Sequence, residues 1–126
     1  MTARLIRLKT RGDFLRVAAG RVRAVRPGLI LQAAEREGEG ESGLRVGFTA
    51  SRRVGNAVAR NRAKRRLRAA AAAVLPLHGR AGTDYVLIAR AETGARPYVE
   101  LLADLQGALR QLSRGKGPRE ARSGEG

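Results

Sequence analysis

The chain has 126 residues, a length that fits one domain built around one hydrophobic core. Its 26 lysines and arginines outnumber 11 acidic residues and give a formal net charge of +15 at pH 7, so a polyanionic partner, above all nucleic acid, is expected. The chain contains no cysteine, which excludes disulfides, thiolate zinc sites and cysteine nucleophiles.

The apolar stretches of the sequence are too short for a membrane span. The longest uninterrupted one, Ala69 to Leu75, falls far below the roughly 18 residues that a spanning helix needs. The segment Met1 to Phe14 lacks the apolar core and the small-residue cleavage site of an export signal. We therefore expect a cytoplasmic protein that does not bind a membrane.

The first predicted element is a short helix from Thr10 to Ala19, which ends at Gly20. Phe14, Val17 and Ala18 share one face of this helix at helical spacing. A helix of this length is marginal on its own, so it is expected to pack against the rest of the protein.

Two strands are predicted next, from Leu29 to Ala34 and from Leu44 to Ala50, because both segments have the apolar pattern and the length of strands. The segment between them, Glu35 to Gly43, is rich in glutamate and glycine and is predicted to be an exposed connection. Clustered glutamates are able to hold a cation, but we favour a solvated loop. The glutamates concerned are Glu35, Glu37, Glu39 and Glu41.

A long helix is predicted from Ala57 to about Leu75. Asn56 is the predicted N-cap, since an asparagine side chain accepts hydrogen bonds from the free amides of a first turn, and Pro76 and Gly79 are expected to end the helix. One side of this helix carries a narrow apolar stripe that is suited to packing on a sheet. The stripe consists of Ala63, Leu67, Ala70 and Val74.

The remaining elements are a strand from Thr83 to Arg90 and a final helix that begins at Arg96-Pro97. The strand is mostly apolar and is predicted to be central in a sheet. The order of elements predicts a single-domain α+β sandwich over residues 1–113, with a mixed sheet packed by helices, and a disordered basic tail over residues 114–126. The apolar face of the final helix is predicted to comprise Tyr98, Leu101, Leu102, Leu105, Leu109 and Leu112.

Cations are concentrated on the solvent face of the long helix and on the segment just before it. Eight lie between Arg52 and Arg68, a density that destabilises an isolated helix and that a phosphate backbone would neutralise. Arginine also bonds two phosphate oxygens at once or stacks on a base, which suits a folded RNA. We therefore predict RNA contact by this surface rather than an ordinary charged helix face. Its predicted members are Arg52, Arg53, Arg60, Asn61, Arg62, Lys64, Arg65 and Arg68.

The run from Leu44 to Arg68 resembles the signature of the bacterial ribonuclease P protein. The specific part is Arg60-Asn61-Arg62, followed by Lys64-Arg65 and Arg68, placed after the run Val54 to Val58. The resemblance extends from about Arg4 to Leu112.

The resemblance implies an α/β sandwich with a left-handed βαβ crossover, in which the helix carrying Arg-Asn-Arg touches a catalytic RNA. It further implies the protein subunit of an endoribonuclease that removes the 5′ leader of precursor tRNA. The RNA subunit would hold Mg²⁺ and perform the chemistry, while the protein alone would be inactive and would bind no cofactor. The expected partners are the catalytic RNA and precursor tRNA, without DNA.

The family also has a cleft between the first helix and the sheet that receives the single-stranded leader. Phe14 matches an aromatic residue of this cleft. Two other positions that are often aromatic are Ala18 and Gln32 here, so base stacking is expected to be weaker. The alternative for Phe14 is a core residue that braces the first helix, and we favour the cleft contact.

No catalytic residue is predicted in the protein itself. His78 is the single histidine and lies in a predicted turn, whereas acid and base catalysis needs paired groups. Asp13, Asp84 and Asp104 lie in different elements and lack the spacing of a two-metal nuclease. The alternatives are a structural RNA-binding protein, such as a ribosomal protein, and, less favoured, a DNA-binding regulator, because no helix-turn-helix pattern is present.

Overall fold

The computed structural model describes residues 5–36 and 43–114. These residues form three helices and five strands, and a short 3-10 turn, Arg52–Val54, precedes the longest helix. The strands are β1 (Leu5–Arg7), β2 (Arg23–Arg26), β3 (Leu29–Glu35), β4 (Leu44–Thr49) and β5 (Thr83–Ala89). The helices are α1 (Arg11–Ala19), α2 (Ala57–His78) and α3 (Tyr98–Arg114).

The predicted mixed sheet is confirmed. Its five strands follow the order β1-β4-β5-β3-β2, and β4 lies parallel to both β1 and β5. The strands β5, β3 and β2 pair antiparallel. Helix α2 connects the adjacent parallel strands β4 and β5, which makes the βαβ crossover that the resemblance implies, while the left-handed sense of this crossover stays a prediction.

Helices α2 and α3 pack on one face of the sheet and α1 packs on the other. The predicted apolar stripe of α2 is confirmed, because all four of its residues are buried in the larger core. In α3, Leu101, Leu105 and Leu109 are buried as expected. The prediction that Tyr98 belongs to this buried face is wrong: it is 41% exposed, because it is the first residue of α3 and lies beyond the edge of the core.

The N-terminus of α2 is capped as predicted, with the Asn56 Oδ1 accepting from the Ala59 backbone N–H at 2.9 Å. The expectation that Pro76 ends this helix is wrong, because α2 continues to His78. A proline at this position removes one backbone hydrogen bond, the one that residue 76 would donate to the Ala72 carbonyl. Ala72 is exposed, so the loss costs little. The helix ends at Gly79, whose N–H donates to the Leu75 carbonyl at 2.8 Å.

Two strands lack a strong local signal. In β2 two arginines flank Ala24 and Val25, and only Ala24 is buried. Strand β1 has three residues and is held by parallel pairing with β4. Most of the predicted connection 35–43 and the tail beyond residue 114 lie outside the described residues, so their predicted states stay predictions.

Candidate nucleic-acid interface

The predicted RNA-binding residues lie together on the outer side of α2 and on the 3-10 turn before it. We call them the α2 basic surface. All of them are exposed or half-buried, and the side opposite to them carries the buried stripe. The members are Arg52, Arg53, Arg60, Asn61, Arg62, Lys64, Arg65 and Arg68.

This surface has no nearby acidic neighbour along the chain, since residues 42–83 contain no aspartate or glutamate. Within the described residues, five of its cations have no hydrogen-bond or ion-pair partner for the side chain. These guanidinium and ammonium groups therefore remain available to an anion. They are Arg52, Arg53, Lys64, Arg65 and Arg68.

Two predicted members also support local structure. The Arg60 Nη1 donates to the Gly55 carbonyl at 3.0 Å. Gly55 has a φ of 141°, which few residues other than glycine adopt. The Arg62 Nε donates to the Gly94 carbonyl at 3.2 Å, and Arg66 donates to the same carbonyl and to that of Arg96. These bonds attach the loop before α3 to α2, and no local sequence pattern predicts them because the partners are far apart in the chain.

The face of the sheet that α1 covers is organised in rows, because strand partners in register point to the same side. The first row, Arg45, Asp84 and Ala34, is polar at its centre. The second row runs from β4 to β2 through Gly47, Val86, Gln32 and Arg23. The third row, which we call the open strip, is exposed or half-buried throughout, and Val25 is 47% exposed. The open strip consists of Thr49, Ile88, Ile30 and Val25.

Phe14 is half-buried and lies directly over Gly47, the first residue of the second row. A Cβ at position 47 would fall on the Phe14 ring, so glycine is what allows the ring to approach the strand so closely. Val17, one turn later, is fully buried against the same face, whereas Ala18 is exposed. Phe14 therefore packs against the sheet while its side chain stays partly exposed, and its predicted role in a leader cleft stays a prediction.

A cluster of charges attaches α1 to the sheet. Asp84 has no solvent exposure, and its carboxylate accepts from Arg36 at 2.7 Å, from two nitrogens of Arg45, and from Arg16 of α1. Arg45 also reaches Asp13 of α1 at 3.4 Å. Burial by itself raises the pKa of Asp84, but the hydrogen bonds from Arg45 and Arg36 outweigh it, and the pKa lies below its usual value.

The fold thus brings Asp13 and Asp84 to one guanidinium, although the sequence places them in different elements. Asp104 is separate: it accepts from the Gly28 N–H at 2.9 Å and from Arg96 at 2.6 Å, which holds the β2–β3 turn against α3. Over residues 5–36 and 43–114, no group of three or more potential ligands is placed to hold a metal ion. His78 is exposed at the end of α2.

Strand β4 connects the two surfaces. It carries Gly47 beneath Phe14, continues to Thr49 in the open strip, and is followed three residues later by Arg52. Three residues span at most about 11 Å, so the open strip and the α2 basic surface meet at the same end of the sheet. In the described part of the chain, no helix has the length and hydropathy needed to cross a membrane.

Comparison with known proteins agrees with this arrangement. The model of the Ribonuclease P family matches residues 2–113. A ribonuclease P protein component of Paramagnetospirillum magneticum is 59% identical over 114 residues, which cover 89% of this chain and 86% of that protein. The corresponding protein of Ruegeria pomeroyi is 55% identical over 106 residues, which cover 83% of this chain and 84% of the relative.

Solved structures share the fold. The ribonuclease P protein of Thermotoga maritima superposes with a TM-score of 0.70 at 23% identity, over 83% of this chain and 96% of that one. The Staphylococcus aureus protein gives a TM-score of 0.67 at 25% identity, over 82% and 92% of the two chains. The chain therefore belongs to the ribonuclease P protein family, and it is a subunit of the enzyme that processes the 5′ end of tRNA.

Proposed function

We propose that the α2 basic surface binds the catalytic RNA of ribonuclease P and that Phe14, together with the open strip, binds the 5′ leader of precursor tRNA. The holoenzyme then removes the leader in the cytoplasm. The observation that carries this proposal is the pairing of two adjacent surfaces of different chemistry. One surface presents five cations whose side chains have no partner among residues 5–36 and 43–114, and the other presents a half-buried aromatic side chain and half-buried apolar side chains.

The α2 basic surface fits the backbone of a structured RNA. Its free guanidinium groups lie on one rigid helix, and bidentate arginine contacts select phosphate pairs in a fixed geometry. Arg62 and Arg66 are bonded to carbonyls of the loop before α3, so they keep this loop in place beside the surface. A specific complex of this kind is expected to depend strongly on salt, because every phosphate contact releases counterions.

The open strip fits a single strand better than a duplex. Unstacked bases bind to aromatic and apolar surfaces, and each base stacked on an aromatic ring contributes about 1 to 3 kcal/mol in other single-strand binders. Phe14 offers one such ring beside the strip. Mature tRNA lacks the leader, so this contact favours the precursor over the product.

The proposed division of labour leaves the chemistry to the RNA. Asp13 and Asp84 are both paired with Arg45, and a carboxylate held by arginines is a poor ligand for Mg²⁺. We propose that phosphates of the RNA hold the Mg²⁺, which supplies an activated water for hydrolysis when it is bound. The protein contributes by screening the repulsion between two RNAs and by holding the leader.

The RNA-binding half of the proposal is tested with the double variant Arg65→Ala/Arg68→Ala. Its affinity for ribonuclease P RNA is measured by filter binding over a range of salt. We expect weaker binding and a salt slope reduced by up to about one unit per lost phosphate contact. The control is Arg110→Ala, an exposed arginine on α3, which is expected to bind as wild type does. Unchanged affinity and slope in a folded double variant would contradict the assigned surface.

The leader-binding half is tested with Phe14→Ala in the reconstituted holoenzyme. We expect the dissociation constant for precursor tRNA to rise while that for mature tRNA stays nearly constant, because only the precursor has a strand to stack. Thermal melts of the same variant separate this result from unfolding. A folded variant that still prefers the precursor as strongly as wild type would exclude Phe14 from the leader site.

A further inference from the structure

The second row of the α1 face ends at an arginine on the edge of the sheet. Arg23 lies on the edge strand β2, directly opposite Gln32, and register places both side chains on the side where Phe14 covers Gly47. Three strand spacings of about 4.8 Å separate Gly47 from Arg23, so the two ends of the row lie about 14 Å apart. Val86 in the middle of this row is buried against Val17 of α1, so a strand bound beside Phe14 would cross the sheet along the open strip to Val25, two residues from Arg23.

Arg23 is unusual among the arginines that lie in described strands. Arg45 is paired with Asp84, Arg26 donates to the Gly107 carbonyl at 3.0 Å, and Arg7 lies 5.5 Å from the centre of the Phe48 ring. The exposed side chain of Arg23 has no such contact within the described residues, and neither has the half-buried amide of Gln32. Both side chains therefore present unused hydrogen-bond donors on the face that carries the open strip.

We propose that Arg23 is a specificity-determining residue that binds a phosphate of the leader through its guanidinium group. This inference rests on the proposed leader site and adds an electrostatic contact at the opposite end from Phe14. Gln32, the register partner of Arg23, has no ring for a base to stack on, so the leader is held at this end of the row by charge. The alternative is that Arg23 only keeps the edge strand β2 from pairing with other chains, as exposed charges on edge strands do.

The test uses the holoenzyme reconstituted from the full chain and ribonuclease P RNA, and it measures binding of precursor tRNA and of mature tRNA without turnover. We expect Arg23→Gln to weaken precursor binding about fivefold to tenfold and to lower its salt slope by about one unit, with mature tRNA unaffected. Arg23→Lys keeps most of the affinity, because an ammonium group also pairs with phosphate. Arg110→Gln, with the same charge change on α3 behind the sheet, is the matched control and should bind like wild type.

A second measurement locates the contact. Leaders that carry one uncharged methylphosphonate at successive positions are compared between wild type and Arg23→Gln. At one position the neutral linkage should weaken precursor binding by the wild-type holoenzyme and leave binding by the Arg23→Gln holoenzyme unchanged, since the linkage and the substitution remove the same interaction.

The outcomes separate the two proposals. If wild type prefers the precursor and Arg23→Gln keeps that preference in full, the role of Arg23 is overturned while the leader site stands. If Arg23→Gln weakens precursor binding without changing the salt slope, a phosphate contact is overturned. If wild type itself shows no preference for the precursor, the proposed leader site fails, and the inference about Arg23 fails with it.

Discussion

Asp84 on β5 accepts two hydrogen bonds from Arg45 on the neighbouring strand β4, from Nε at 2.9 Å and from Nη2 at 2.7 Å. The Asp84 carboxylate has no solvent exposure. It also forms ion pairs with Arg16 of α1 and with Arg36, which follows β3. Because α1 has nine residues and buries little apolar surface beyond Val17 and Phe14, the pairs that Asp84 and Arg45 make with Arg16 and Asp13 of α1 contribute much of what orients the helix over the sheet.

Removing the charge of Asp84 should therefore destabilise the fold. We expect Asp84→Asn to lower the free energy of unfolding by about 3 kcal/mol, because it leaves half-buried guanidinium groups without their counter-ion. Urea denaturation of the purified protein measures the change. Glu35→Gln is the control, since Glu35 faces Arg80 at 3.6 Å in an exposed pair, and its cost should stay below about 1 kcal/mol. Equal, small costs for both variants would contradict the role given to Asp84.

The same carboxylate predicts a pH dependence of stability. The pKa of Asp84 is lowered in the folded protein, whereas an unfolded aspartate titrates near pH ~4. Its contribution is therefore present above about pH 4 and is lost as the pH falls through the lower pKa of the folded state. Urea unfolding at a series of pH values should show wild type losing stability on acidification more steeply than Asp84→Asn. Parallel curves for the two proteins would show that another group dominates the acid response.

The contact between Phe14 and Gly47 predicts a coupled pair of substitutions. Gly47→Ala places a methyl group on the Phe14 ring and 3.2 Å from the Leu8 Cδ1, and we expect it to cost about 1 to 3 kcal/mol of stability. In a Phe14→Ala background most of this cost should disappear, because the ring is gone. Chemical denaturation of the single and double variants gives the coupling energy. Gly94→Ala, whose new methyl would lie 3.8 Å from the Arg62 Nε, is the control with little cost. Additive costs at positions 14 and 47 would rule out the contact.

Arg21 follows α1 in a left-handed conformation, with φ of 58°. Its N–H donates to the Ala18 carbonyl at 3.1 Å, so it holds the place after the helix where glycine is usual, while Gly20 stands one residue too early. We expect Arg21→Gly to raise the free energy of unfolding by about 1 kcal/mol, since glycine adopts this conformation without steric cost. Arg21→Ala keeps the Cβ and should bring no such gain. Thermal melts of the two variants make the comparison.

The parts of the fold that the sequence predicts well have strong local signals. Helix α2 combines the N-cap Asn56 with an apolar stripe at regular spacing, and β5 is an apolar run of strand length. Strand β2 gives no such signal, because its outward residues are Arg23 and Val25 and its identity depends on pairing with β3.

The candidate site also has one part that the sequence predicts and another that it does not. The α2 basic surface is visible in the sequence because its members are neighbours on one helix. The bonds from Arg62 and Arg66 to the Gly94 carbonyl, and the meeting of Asp13 with Asp84 around Arg45, join residues that are remote in sequence. No spacing rule predicts such contacts, since they depend on how the sheet is ordered. The ring of Phe14 over Gly47 belongs to the same class.

The strand order has a consequence for how the chain folds. Of the described strands, β5 is the last to be made, and it lies at the centre of the sheet, where it pairs with both β3 and β4. During synthesis, β3 and β4 therefore have no shared neighbour until β5 has left the ribosome. Pairing β5 with β3 joins residues that are far apart in the chain, and such long-range contacts slow folding. The pairs β1–β4 and β2–β3 do not need β5, but they join into one sheet only after β5 is made, and until then the acid-free, cationic segment 42–83 lacks the finished sheet to pack against. The nascent chain is thus able to attract RNA electrostatically before the binding surface has its final shape.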